Sequence, residues 1–311
     1  MPKKSVTFLY YRPYVSSQPS EAVDLTNTFT SLQGKSHQGR VQKHYGNLIQ
    51  LSSIDYKNDI WELQFAKYRT GILPEQGNPL TAEILPIEIP PGYQLTEVLF
   101  ALYDPILKLF FIQQNKNAVS SNTIASFLTG FLELENDNTG APNQLLLDLV
   151  IKPGALAEVE KLGSTKRLSV VLSNVHDPAL LEATKNDRGL SQALIAAQHY
   201  VDEYEVELSY TLKVKQRKYV ASLKNESLFS TVKSLFSHSD TSDTIKKIEV
   251  AGLEDEDDKN HAINLLKYRL EEKEDFEIPR GTAIPRVTIR GFMIKKYNEK
   301  KPYLERLFLR D

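Results

Sequence analysis

A chain of 311 residues, 41% hydrophobic and 25% charged, has the composition of a folded globular protein with room for two domains, each able to bury a core. The absence of cysteine excludes disulfides, thiol nucleophiles, iron–sulfur clusters and thiolate zinc sites, and none of the six histidines stands four residues from another, the spacing that sets two ligands on one helix face. A formal charge of −2 excludes a protein that coats nucleic acid with its whole surface.

In chain order, Lys4–Tyr11 reads as a first strand and Glu21–Leu32 as a short helix or irregular connection. Asn47–Ile54 and Asp59–Lys67 form a hairpin around Tyr56-Lys57-Asn58, with Trp61, Leu63 and Phe65 alternating onto one face. Ala82–Ile89 precedes a second hairpin, Glu97–Tyr103 and Leu107–Gln114, turning at Asp104-Pro105. Ser120 or Ser121 then caps an amphipathic helix through Ile124, Phe127, Leu128, Phe131 and Leu132. The polar segment Glu135–Asn143, with its Gly and Pro, marks a domain boundary, giving domains at 1–138 and 139–311.

Beyond the boundary, Leu145–Lys152 and Arg167–Ser173 read as strands around a short helix at Ala155–Leu162. Asp177-Pro178 opens a long helix through Leu190, Leu194, Ala197 and Val201. A strand follows at Tyr204–Tyr219, then a helix through Leu228, Val232, Leu235 and Phe236, and the strand Ile245–Ala251. Ala262, Leu265, Leu266 and Arg269 suggest a helix, Ala283–Lys296 a last strand, and Lys301–Leu309 a terminal helical piece. The expected fold class is α+β: an N-terminal antiparallel sheet with a packed helix, then a mixed α/β domain. The start of the chain has too short an apolar run for a signal peptide, and Leu95–Ile112 is broken by Glu97, Asp104 and Lys108, so a cytoplasmic location is expected.

The most informative element is Tyr204–Tyr219. Val206, Leu208, Tyr210, Leu212 and Val214 share one face of it, while Lys213, Lys215, Arg217 and Tyr219 share the other. Cations at alternate positions lie roughly 6–7 Å apart, comparable with phosphate spacing along a duplex strand. Lys218 adds a neighbouring positive charge, and Arg286, Arg290, Lys295 and Lys296, with Lys300 and Lys301, make a second basic region. From Lys and Arg against Asp and Glu, Asp240–Ile278 carries 6 and 13, net −7, and Arg280–Asp311 carries 9 and 3, net +6. The second region therefore either meets phosphates or neutralises the acids before it.

Other patterns point away from catalysis. Glu254-Asp255-Glu256-Asp257-Asp258 lacks the Gly and terminal Glu of a calcium loop and suits the start of a helix. Asp148 and Lys152 resemble part of a nuclease strand, but Val150 stands where a second acid is needed. Gly34-Lys35-Ser36 has Phe29 in place of the upstream Gly of a phosphate loop. Gln113, Gln114, Asn115 and Asn117 offer amides that could read base edges. No catalytic residue, metal ligand or cofactor is assigned.

The strand Thr7–Tyr11, the hairpin Gly46–Phe65, the hairpin-to-helix unit Val98–Leu128, the strand Leu208–Lys215, the helix Ser227–Phe236 and the strand Lys247–Ala251 follow an order that resembles the RexA phage-exclusion family, with KwaB-type defence proteins as a near alternative. The resemblance implies a cytoplasmic two-domain homodimer that binds double-stranded DNA with little sequence preference and signals to a membrane-protein partner in anti-phage defence of the abortive-infection type. It carries over no catalytic residue. The expected contacts are Lys213, Lys215, Arg217, Lys218, Tyr219, Arg286, Arg290, Lys295 and Lys296. The alternatives are a protein–protein adaptor or phage-protein sensor of the same defence type without DNA binding, in which the −7 and +6 blocks pair between subunits or with a phage protein, and a magnesium-dependent nuclease using Asp148 and the acidic block.

Overall fold

The computed structural model describes residues 3–44, 46–69, 75–78, 80–115, 117–132, 143–152, 162–172, 188–198, 206–211, 245–254, 257–279 and 283–309, with the single positions 154 and 158. The fold is α+β. Two compact units emerge: unit 1 joins Met1–Leu146 to Glu272–Asp311, and unit 2 is Leu147–Glu271. The sequence division at 138/139 groups the chain's last forty residues with the second domain; here they pack with the first, so unit 2 is an insertion.

Unit 1 is built on strands β1 (Lys3–Val15), β2 (Gln18–Ala22), β3 (Val41–His44), β4 (Asn47–Lys57) and β5 (Ile60–Tyr68), with helix α1 (Thr26–Gly34) between β2 and β3. A separate two-stranded ribbon, β6 (Glu75–Asn78) and β7 (Glu83–Pro86), precedes β8 (Thr96–Asp104), β9 (Leu109–Gln113) and helix α2 (Ser121–Thr129). After β10 (Leu145–Leu149), unit 2 contributes β11 (Leu162–Leu172), α3 (Arg188–Gln198), β12 (Val206–Thr211), β13 (Ile245–Glu254) and β14 (Asp257–Asn264). Strand β15 (Glu271–Glu277) and helix α4 (Arg286–Phe308) then complete unit 1.

The main sheet of unit 1 runs β1-β9-β8-β5-β4-β3 with antiparallel neighbours. Asn58 and Asp59, with φ of 52° and 62°, make the left-handed turn between β4 and β5, a geometry that matches the twist of the strands it joins. Register decides what each face of this sheet carries. Trp61 pairs with Tyr103, Leu63 with Ala101 and Phe65 with Leu99, so these six share a face, and all are buried. Phe29 of α1 packs there against Tyr103, Trp61 and Phe110, at ring separations of 5.2, 5.7 and 6.1 Å. Helix α2 sets Phe127 edge-on to Phe65 at 5.7 Å. Ser120 caps α2, its Oγ accepting from Thr123 N at 3.1 Å. Ser120→Ala is expected to cost about 1 kcal/mol, read as a lower urea midpoint.

The opposite face is covered in part by α4, which runs for 23 residues where the sequence suggests a strand at 283–296 and a helical piece at 301–309. Ile289, Met293, Tyr297 and Leu304 are its buried residues. That spacing is helical, and it outweighs the local alternation of Val287 and Ile289 with Thr288 and Arg290, which imitates a strand. Phe292 meets Phe8 at 5.0 Å and Phe276 at 5.7 Å. With helices on both sides, all five residues of β9 are buried.

Tyr10 belongs to the face under α4, stacking on Phe111 at 4.4 Å. Its hydroxyl is buried without a hydrogen-bond partner, and burial first, then Glu272, raises its pKa. An unsatisfied buried hydroxyl costs its desolvation, so Tyr10→Phe is expected to raise stability by about 1 kcal/mol in a chemical melt.

The sheet of unit 2 runs β12-β11-β13-β14, all antiparallel. The helix expected through Ala262 and Leu265 is instead β14 followed by a 3₁₀ turn at Leu265–Tyr268. Pairing with β13 overrides the local helical spacing: Ala262, a core position in the helical reading, is exposed, while Leu265 and Leu270 are buried. Of the acidic run, Glu254 ends β13 and Asp257 and Asp258 open β14, with Glu254 paired to Asp257, rather than starting a helix. The short helix expected at 155–162, the start of the long helix at 177–187 and the helix at 228–236 lie wholly or largely outside the described residues.

Candidate functional site

The basic row splits at the edge of what is described. Strand β12 has the expected two-sided character, Val206 and Leu208 half-buried and Glu207 and Ser209 exposed. Lys213, Lys215, Arg217, Lys218 and Tyr219 lie outside the described residues. The face to which Glu207 and Ser209 belong is nevertheless defined by its neighbours. Thr211 pairs with Arg167, Ser169 with Glu249, and Val171 with Lys247. Arg167 Nη2 and Lys247 Nζ each lie 2.6 Å from a Glu249 oxygen, so two cations share one carboxylate, and both are half-buried. Hydrogen bonding to Lys247 is the largest of the effects that hold the Glu249 carboxyl below its ordinary pKa. The other side of the sheet, Leu168, Val170, Leu172, Ile248 and Val250, is core.

The second basic region has a different fate. Arg286, Arg290, Lys295 and Lys296 stand on a helix, where each residue turns about 100° from the last, so Arg286 and Arg290 share a side while Lys295 points nearly opposite. Arg290 forms a fork with Glu62, Nε on one oxygen and Nη2 on the other at 2.9 Å. Lys296 and Lys295 flank Glu299 at 2.8 and 3.9 Å. Lys300 reaches Glu272 at 3.2 Å, an acid of the −7 block, and Lys301 reaches Asp104 at 3.4 Å. Neutralisation describes these pairs, but only Lys300 with Glu272 engages the acidic block before the region; the other acids lie elsewhere in the chain.

The most deeply buried of these acids is Asp104, fully inaccessible at the end of β8. Its Oδ1 accepts from Ile106 N at 2.8 Å and Leu107 N at 3.0 Å, closing the β8–β9 turn. Its Oδ2 accepts from Tyr297 Oη at 2.7 Å. Burial, and then the adjacent Asp104 charge, raise the Tyr297 hydroxyl above the usual tyrosine range, which keeps it a donor. The turn signal Asp104-Pro105 is legible in the sequence; its partnership with Tyr297, 193 positions on, is not.

Beside this pin, a cleft of about 310 Å³ opens on the sheet face that α4 leaves uncovered. Ser53, Asp55 and Lys57 of β4, Glu62 and Gln64 of β5, and Phe100 and Leu102 of β8 line it, facing Arg286, Val287, Arg290 and Met293. The apolar parity of the β4–β5 hairpin dominates its sequence pattern, and the polar parity that lines the cleft is the signal beside it that sequence reasoning missed. The amides at 113–115 are occupied internally: Gln113 Oε1 accepts from Phe100 N, Gln114 Nε2 donates to Tyr11 Oη, and Asn115 Nδ2 donates to Val98 O. Ser36 Oγ accepts from Gly39 N at 3.2 Å, forming a turn after α1. Among the described residues, no three His, Asp or Glu side chains gather to hold a metal, and no helix is long and apolar enough to cross a membrane.

No curated protein matches this chain. Residues 1–306 match the family model described as DUF6731, a family of unknown function, and the chain belongs to that family.

Proposed function

We propose that this protein binds double-stranded DNA without sequence preference through the charged face of the unit 2 sheet, as a cytoplasmic sensor in anti-phage defence of the RexA-like kind. One observation carries the reading: on that sheet Arg167 stands directly across from Thr211, and the sequence parity that runs Glu207, Ser209, Thr211 continues to Lys213, Lys215 and Arg217. Lys218 extends the charge, and Tyr219 packs against sugars. In this reading Lys213, Lys215 and Arg217 supply phosphate contacts, which give affinity without base readout. Arg290, Lys295 and Lys296 are removed from the proposed interface because their charge is answered within unit 1. Arg286, which has no carboxylate partner among the described residues, is assigned to the cleft instead.

The adaptor reading loses its main support for the same reason. It requires the +6 block to seek an acidic partner on another chain, and Glu62, Asp104, Glu272 and Glu299 already serve that purpose. A homodimer and a membrane-protein partner remain part of the proposal through the family resemblance alone.

A titration of random-sequence duplex with the full chain, at low and moderate salt, tests the reading. A shift that weakens steeply with salt and is indifferent to sequence is expected. No shift at either salt sinks the proposal, and magnesium-dependent loss of the duplex replaces it with a nuclease.

A further inference from the structure

We infer that the cleft between the β4–β5–β8 face and the first turns of α4 binds a small organic anion, with an apolar body of about two rings and one carboxylate or phosphate head. The walls supply both parts. Phe100 and Val287 offer an apolar surface above the buried Leu102 and Met293, and Val287, 73% exposed at the rim, leaves apolar area for a ligand to cover. A volume of about 310 Å³ sits at the low end of small-molecule sites.

The head group is fixed by charge accounting within the cleft. Asp55 lies 3.6 Å from Lys57, and both oxygens of Glu62 are taken by Arg290. Arg286 is left as the lining cation that forms no ion pair within 4.0 Å among the described residues, although Asp55 and Glu62 line the same cleft. It also stands in the first turn of α4, which has no acidic residue and no capping side chain. Like charge there meets the positive end of the helix dipole, an arrangement that disfavours the empty cleft and favours an anion between them. Ser53 and Gln64 provide neutral polar edges beside the apolar floor.

The test uses 2-naphthyl phosphate and 2-naphthoate as probes, titrated into the full chain by calorimetry at low ionic strength. Saturable binding of one probe per chain is expected, and the tighter of the two identifies the head group as phosphate or carboxylate. Arg286→Glu should weaken it at least tenfold, while the unliganded variant melts at or above the native temperature because its first turn gains an acid. Ser53→Trp, which fills the cleft from β4, should weaken binding similarly. Absence of saturable binding to the native chain, or equal affinity in Arg286→Glu, overturns the inference.

Discussion

Asp104→Ala is expected to destabilise the protein by about 3–5 kcal/mol, seen as a lower urea midpoint. The carboxylate is fully buried, accepts from three donors, two backbone N–H groups and the Tyr297 hydroxyl, and pairs with the Lys301 ammonium at 3.4 Å. Removing it strands a partly buried cation and a hydroxyl that burial keeps protonated, and each then bears its desolvation cost without return. Asp104→Asn keeps an oxygen for the turn and should be less damaging. The same melt reports how α4 is attached. A change under about 1 kcal/mol in the alanine variant would mean that Phe292 and Met293 hold the helix and the polar pin is incidental.

Reversing Lys213, Lys215 and Arg217 to Glu together is expected to lower DNA affinity on the order of a hundredfold or more at low salt, by a similar factor for every duplex tested. Each reversal deletes one phosphate partner and adds a repulsion. The residues belong to the polar parity of their strand in the sequence, so unfolding should be unchanged. A reduction confined to particular sequences would instead point to base readout, by Arg or Lys on guanine edges.

The hairpins, the α2 cap and the first strand are legible in the sequence because each is encoded locally: alternation, a serine before an apolar stripe, a turn sequence. Two elements depart from their local pattern. At 257–264 a helical spacing yields to pairing with β13, and at 283–296 a strand-like alternation yields to the longer stripe Ile289, Met293, Tyr297 and Leu304. In the first the adjacent strand of the same hairpin decides, and in the second partners far along the chain, Phe8 and Asp104, do so. Helix α4 also explains why β9 is buried on both sides although its hairpin reads as one-faced. The candidate site divides along the same line. A row of cations within one strand is a sequence feature, whereas the use of Arg290, Lys300 and Lys301 as clasps depends on Glu62, Glu272 and Asp104, which only the fold brings to them.

If phosphates meet the unit 2 row and not the cations of α4, the salt dependence of binding should separate the two. The slope of log affinity for random duplex against log salt is to be measured side by side for two charge-reversed proteins. With Lys213, Lys215 and Arg217 reversed, the slope should shrink by about 2.7, or about 0.9 for each phosphate no longer neutralised. With Lys295 and Lys296 reversed it should match the native protein. A native slope in the first and a flattened one in the second would instead put the DNA on α4 and refute the unit 2 interface.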